Sequence, residues 1–161
     1  GKYRKEIWER TKYRNRMLIH DSYNRSDVLR EFTSNVHEGD NRVLLSVNMG
    51  EGVDLKDELA RFQIIVKAPF LPMGDPWIAL HKERSEKWYR NQTIIELMQM
   101  SGRVVRSKED YGFTYLIDAN AWDLLRQVKH DLPVWFSEKM DAGERERERR
   151  MKVQMNELLG E

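Results

Sequence analysis

Four short runs of branched and aromatic residues, 17–20 (MLIH), 42–47 (RVLLSV), 62–67 (FQIIVK) and 113–118 (FTYLID), constrain the fold of this chain more than any other feature. None alternates strictly between apolar and polar. Each therefore reads as a strand buried on both faces, the pattern of a parallel sheet with helices on either side. Parallel neighbours need crossover connections, and helical patterns lie between the runs. In the first crossover, Asn24 and Ser26 are N-cap candidates and Val28, Leu29, Phe32 and Val36 share one stripe.

The later segments differ in kind. A helix is expected over 91–100, buried through Ile94, Ile95, Leu97 and Met98. The segment 69–85, with Pro69, Pro72, Gly74 and Pro76, reads as a long loop. Trp122, Leu124, Leu125 and Val128 mark a further helix, Pro133 a break, and 133–136 (PVWF) an aromatic anchor. From 138 the chain becomes a charged helix. Glu146 precedes Arg150, and Glu148 precedes Lys152, by the four residues that favour ion pairing along a helix. Met151, Met155, Leu158 and Leu159 give it a narrow apolar edge, suited to docking on this domain or on a neighbour. The expected divisions are a basic helix or linker over 1–16, an α/β domain over 17–137 and the charged helix over 138–161.

Composition sets outer bounds. The 161 residues suit one domain, and 40% hydrophobic residues suffice for a core. Residues 1–16 hold seven Lys or Arg against Glu6 and Glu9, a patch that fits either phosphate or a solvated helix face. No apolar run reaches membrane-spanning length, and the charged start is not a secretory signal. There is no cysteine, which excludes disulfides and thiolate-held clusters within this stretch and accords with an intracellular setting. His20, His37, His81 and His130 are scattered, so no metal-ligand set is expected.

Two segments carry candidate chemistry. The first, 49–55 (MGEGVDL), follows a strand. Gly50 and Gly52 let the backbone approach a ligand, and Glu51 and Asp54 are acceptors; a tight strand-to-turn connection is the plainer reading of the same residues. The second is 99–106 (QMSGRVVR). Gln99, Arg103 and Arg106 at i, i+4 and i+7 fall on one face of a helix, while Val104 and Val105 turn inward. Two guanidiniums and an amide converging on one point suit a polyphosphate; an exposed basic helix face is the plainer alternative. Gly102 within the segment points to close approach by another group.

In order and spacing these segments resemble the second motor domain of superfamily 2 DNA helicases of the XPD/DinG type. Residues 19–23 (IHDSY) look like motif IV, 46–55 (SVNMGEGVDL) like motif V with its E-G-V-D core, and 99–106 like the Q-x-x-G-R-x-x-R of motif VI, continued by Asp110-Tyr111-Gly112. The stretches 59–70 and 132–136 also fit, so the likeness spans about 16–137. It implies a RecA-like α/β fold, a mostly parallel sheet with helices on both faces plus the charged C-terminal helix. It further implies that Arg103 and Arg106 are arginine fingers reaching the γ-phosphate of ATP and that Gln99 senses that phosphate or orients water. Glu51, Gly52 and Asp54 would link nucleotide state to the track, and Ser22, Tyr23, Ser46 and Asn48 would face single-stranded DNA.

The departures are equally informative. No G-x-x-x-x-G-K-[ST] and no D-E-A-H segment is present. The resemblance places these elements, with most of the hold on ATP and Mg2+, on the first motor domain, together with any iron–sulfur cluster. The chain, which begins with Gly1, is therefore expected to be an excised half of a larger ATPase that needs its first motor domain as partner and is inactive alone. The competing expectation is a nucleic-acid-binding or regulatory module that keeps the fold without ATP turnover. Asp21, where relatives often carry a small or hydroxylated residue, weakens any motif IV backbone contact.

Overall fold

All four apolar runs form strands in the computed structural model, which describes residues 2–21, 23–34, 41–46, 55, 59–105 and 110–159. Helix α1 (Lys2–Arg10) is followed by a 3-10 turn and β1 (Met17–Ile19); α2 (Arg25–Ser34) then crosses to β2 (Val43–Leu45). β1 and β2 pair in parallel, Leu18 opposite Leu44, so the first unit is a β-α-β crossover. The second unit runs β3 (Phe62–Ile65), α3 (Pro76–Arg84), α4 (Glu86–Ser101), β4 (Phe113–Leu116), then α5 (Ala119–Gln127) and α6 (Val134–Leu159). β3 and β4 are also parallel, with Gln63 opposite Thr114. Among the described residues these pairs stand as two two-stranded sheets. This is the expected RecA-like α/β arrangement of parallel strands and crossover helices.

Burial departs from the expectation of strands covered on both faces. Ile65 is buried, whereas Phe62, Ile64, Phe113 and Tyr115 are each about half exposed. These four side chains share one face of β3–β4, and among the described residues that face is left partly open. Ile95, expected inside, is also exposed, while Ile94 and Leu97 on the opposite side of α4 are buried. The core joins these to Ile65, Ala68, Ala121, Leu124, Leu125, Leu132, Phe136 and Met140. Each of these side chains larger than alanine contributes about 1.5–3 kcal/mol by leaving water.

Helix boundaries correct two readings. The segment 69–85 is only partly loop, because Asp75 caps α3 by accepting from the Trp77 amide at 2.9 Å, with Pro76 at the first helical position. Proline there lacks an N–H that would have no partner anyway, so it starts a helix instead of breaking one. Ser85 then ends α3 and caps α4 through the Trp88 amide at 3.1 Å, so α4 begins at Glu86, ahead of the expected 91. The aromatic anchor and the charged tail are one helix. α6 starts right after Pro133, buries Phe136 and Met140, and runs without interruption through the expected division at 137. Its outer part is exposed, including Met151, Met155 and Leu158, and the expected Glu146–Arg150 pair forms at 2.8 Å. Glu146 also meets Arg149 at 2.9 Å. Among the described residues no helix is long and apolar enough to cross a membrane.

Candidate functional site

The C-terminal end of α4 carries the first part of the site. Gln99 is exposed on the last turn, and the helix stops at Ser101. Gly102 closes it with φ −82° and ψ 2°, its N–H shared between the carbonyls of Met98 at 3.1 Å and Gln99 at 3.3 Å. Arg103 therefore lies in the turn beyond the helix, so the expected helical face is interrupted between 99 and 103. The reason is local: shared bonds to i−3 and i−4 tighten the final turn, and the buried Val104 pulls the chain inward. Gln99 stands on the last helical turn and Arg103 in the turn that follows it. Arg106 lies outside the described residues. Among the described residues nothing demands glycine at 102, since an added Cβ would meet the Met98 carbonyl oxygen at an ordinary 3.5 Å.

A network of polar contacts surrounds the turn. The Gln63 side-chain amide, on β3, donates to the Met100 carbonyl at 2.9 Å and to Thr114 Oγ1 at 2.8 Å. The same carbonyl accepts from the Arg103 backbone N–H at 3.2 Å, and Ser101 Oγ donates to the Met98 carbonyl at 2.9 Å. Carbonyls freed at the helix end thus find partners. Ahead of β4, the Asp110 carboxylate is buried and pairs with Arg61 at 2.7 Å. Arg61 also donates to the Tyr111 carbonyl at 3.0 Å and lies over the Tyr111 ring at 4.2 Å. Gly112 is the one glycine among the described residues with no room for a side chain, because an added Cβ would sit 2.5 Å from Val104 Cγ1. Asp110, Tyr111 and Gly112 fall in the motif continuation, whereas no local pattern assigns a site role to Gln63 or Arg61, whose partners are far along the chain.

The second part lies at the carboxyl ends of β1 and β2, the edge where ligands of parallel α/β sheets collect. Ser46 Oγ is 2.8 Å from His20 Nε2, and His20 Nδ1 is 3.1 Å from the Asp21 carbonyl oxygen. A carbonyl only accepts, so Nδ1 carries the proton, and in the neutral ring Nε2 accepts from the Ser46 hydroxyl. His20 is thus a satisfied, buried link between the strand ends. Asp21 turns the chain into α2, its carboxylate accepting from the Tyr23 amide at 2.8 Å and the Asn24 amide at 3.0 Å. Asn24 takes up the cap position anticipated for it, its carbonyl accepting from Val28 at 3.0 Å, although its side chain turns back to the Asp21 N–H at 2.7 Å. Tyr23 is 96% exposed, free to meet a ligand. Ser22, Asn48, Glu51, Gly52 and Asp54 lie outside the described residues.

A separate aromatic group lies on α3 and the start of α4. The His81 ring sits 4.0 Å from that of Trp77 and 4.9 Å from that of Trp88, and the two indoles meet edge to face at 5.5 Å. This cluster joins the two helices while leaving Trp77 largely exposed. Among the described residues no group of three or more His, Cys, Asp or Glu could hold a metal ion. The donor set at the α4 end, an amide and a guanidinium, matches an anion.

Comparison with known proteins identifies the family. The model of the helicase C-terminal domain family matches residues 2–139, which takes in α1, both strand pairs and the start of α6. The chain is similar to the regulator of telomere elongation helicase 1 homolog of Caenorhabditis elegans, 26% identical over 133 residues, covering 70% of this chain and 13% of that protein. It is also similar to the homologs of Caenorhabditis briggsae, 32% identical over 106 residues (54% of this chain, 11% of that protein), and Drosophila virilis, 28% over 115 residues (62% and 11%). The chain thus spans little more than a tenth of the length of these relatives. It belongs to the helicase C-terminal domain family, as the second motor domain of an XPD/DinG-type superfamily 2 helicase.

Proposed function

We propose that this domain supplies the trans half of an ATP site in a DNA helicase, with Arg103 and Arg106 as arginine fingers and Gln99 as γ-phosphate sensor. The observation that supports it most is the turn at the end of α4. It carries Gln99 on its last helical turn and Arg103 just beyond, with its carbonyls satisfied by Gln63 and by its own N–H groups. Phosphoryl transfer builds negative charge on the γ-phosphate oxygens, and a preorganised guanidinium stabilises that charge without reorganising. A planar guanidinium with paired N–H donors suits phosphate better than an ammonium.

The chain's own residues divide the remaining work. Glu51, Gly52 and Asp54 couple nucleotide state to the nucleic acid, and Ser22, Tyr23, Ser46 and Asn48 line the single-stranded DNA track. Exposed Tyr23 and the placement of Ser46 at the strand ends support that track. Mg2+ requires carboxylate ligands, which the family carries on the first motor domain together with the phosphate loop. Closure of the two domains around ATP and reopening after hydrolysis would ratchet the strand. In the full-length protein, Arg103→Ala is expected to lower DNA-stimulated ATP hydrolysis at least tenfold, a barrier increase of about 1.4 kcal/mol or more. Unchanged turnover would remove the finger assignment.

A further inference from the structure

We propose that Gln63 and Gly112 are positioning residues that aim Arg103, bracing its turn from two sides. The proposal rests on the finger reading of Arg103. A side chain that stabilises a transition state must be held to within about half an ångström, and a displacement of about 1 Å costs on the order of a hundredfold in rate. Arg103 leaves the body on a turn, not on a helix, so its aim depends on what holds residues 100 and 104. On one side, the Met100 carbonyl accepts at once from the Gln63 side-chain amide at 2.9 Å and from the Arg103 backbone N–H at 3.2 Å. Gln63 is fixed in turn by its second hydrogen bond, to Thr114 Oγ1 at 2.8 Å, which ties the brace to both strands.

On the other side, Val104 is 1% exposed and its Cγ1 fills the space where a side chain at 112 would begin. The chain at Gly112 cannot retreat. The Phe113 N–H donates to the Arg61 carbonyl at 3.0 Å, and the Arg61–Asp110 pair at 2.7 Å holds the entry to β4. Gln63→Leu would remove the first brace with little change in volume. Gly112→Ala would displace Val104, since a Cβ 2.5 Å from a side-chain carbon is not tolerated without movement.

The test is steady-state, DNA-stimulated ATP hydrolysis by the full-length protein carrying Gln63→Leu, Gly112→Ala, Arg103→Ala and each pairing with Arg103→Ala. The expected result is that either brace variant lowers kcat about fivefold or more with KM for ATP within about twofold. Neither should lower it further once Arg103 is alanine, because an absent finger cannot be misaimed. A kcat within about twofold of wild type for Gln63→Leu, or losses that multiply with that of Arg103→Ala, would overturn the proposal while leaving the finger intact. An Arg103→Ala protein with normal turnover would instead remove the finger reading, and the brace with it. Should Gly112→Ala fail to fold, Gln63→Leu decides alone.

Discussion

The two parallel strand pairs are alike in composition and unlike in surroundings. Among the described residues, every buried hydrophobic side chain comes from Ile65 onward. The β1–α2–β2 unit contributes none, and its one buried residue is His20. Both of its strands are only half covered, and no described residue of α2 is buried. β3, by contrast, delivers Ile65 into a core walled by α4, α5 and α6. The difference teaches that an apolar run suffices to make a strand, while burial depends on how many helices close over it. The end of α4 is built on the well-packed unit, as a rigid charge-presenting turn requires.

Stability should divide the same way. Leu97→Ala, at a 2% exposed core position, is expected to lower the unfolding free energy by about 2–5 kcal/mol. Leu18→Ala, in the half-covered β1, should cost about 1 kcal/mol, since less area leaves water there. Urea unfolding of both variants checks this, and equal losses would break the comparison.

A smaller effect sharpens it. Asp118 caps α5 through the Asn120 amide at 3.0 Å and also accepts from the buried Ala68 N–H at 3.0 Å. Asp118→Ala leaves that amide unpaired and should cost about 2 kcal/mol, against about 1 kcal/mol for the single cap lost in Asp75→Ala. The ordering, read from thermal unfolding, matters more than either value.

The smallest effect lies on the outer half of α6. Hydrogen bonds from Arg149 and Arg150 lower the Glu146 carboxyl to about 2. Its folded value lies below its ordinary one, so its contribution is present above about pH 4.5 and is lost as pH falls toward 2. Circular dichroism should show some loss of helix over that window, and Glu146→Gln should remove this dependence. Lys129 behaves oppositely. Its hydrogen bond to Asp141 raises it above the usual lysine value, so that tie between α6 and the segment after α5 persists until strongly alkaline pH.

How much of this is legible in the chain itself follows from the range of each interaction. The strands and the α4 end come from local patterns of a few residues. So does α3, where Pro72, Gly74 and Pro76 fit a loop and the Asp75-Pro76 pair fits a helix start equally well. Spacing alone extends the α4 pattern past Gly102, because it cannot register that Val104 is buried. The links that finish the site join residues far apart: His20 to Ser46 across 26 residues, Gln63 to Met100 across 37, Arg61 to Asp110 across 49. No periodicity encodes such pairs; they exist only once the strands are in register.

The central claim is that this domain offers fingers to a phosphate that another domain must hold. Its most direct test is ATP hydrolysis by the isolated chain beside the full-length protein, each with single-stranded DNA. The account predicts turnover by the full-length protein and none measurable by the isolated chain. Robust hydrolysis by the chain alone would contradict it.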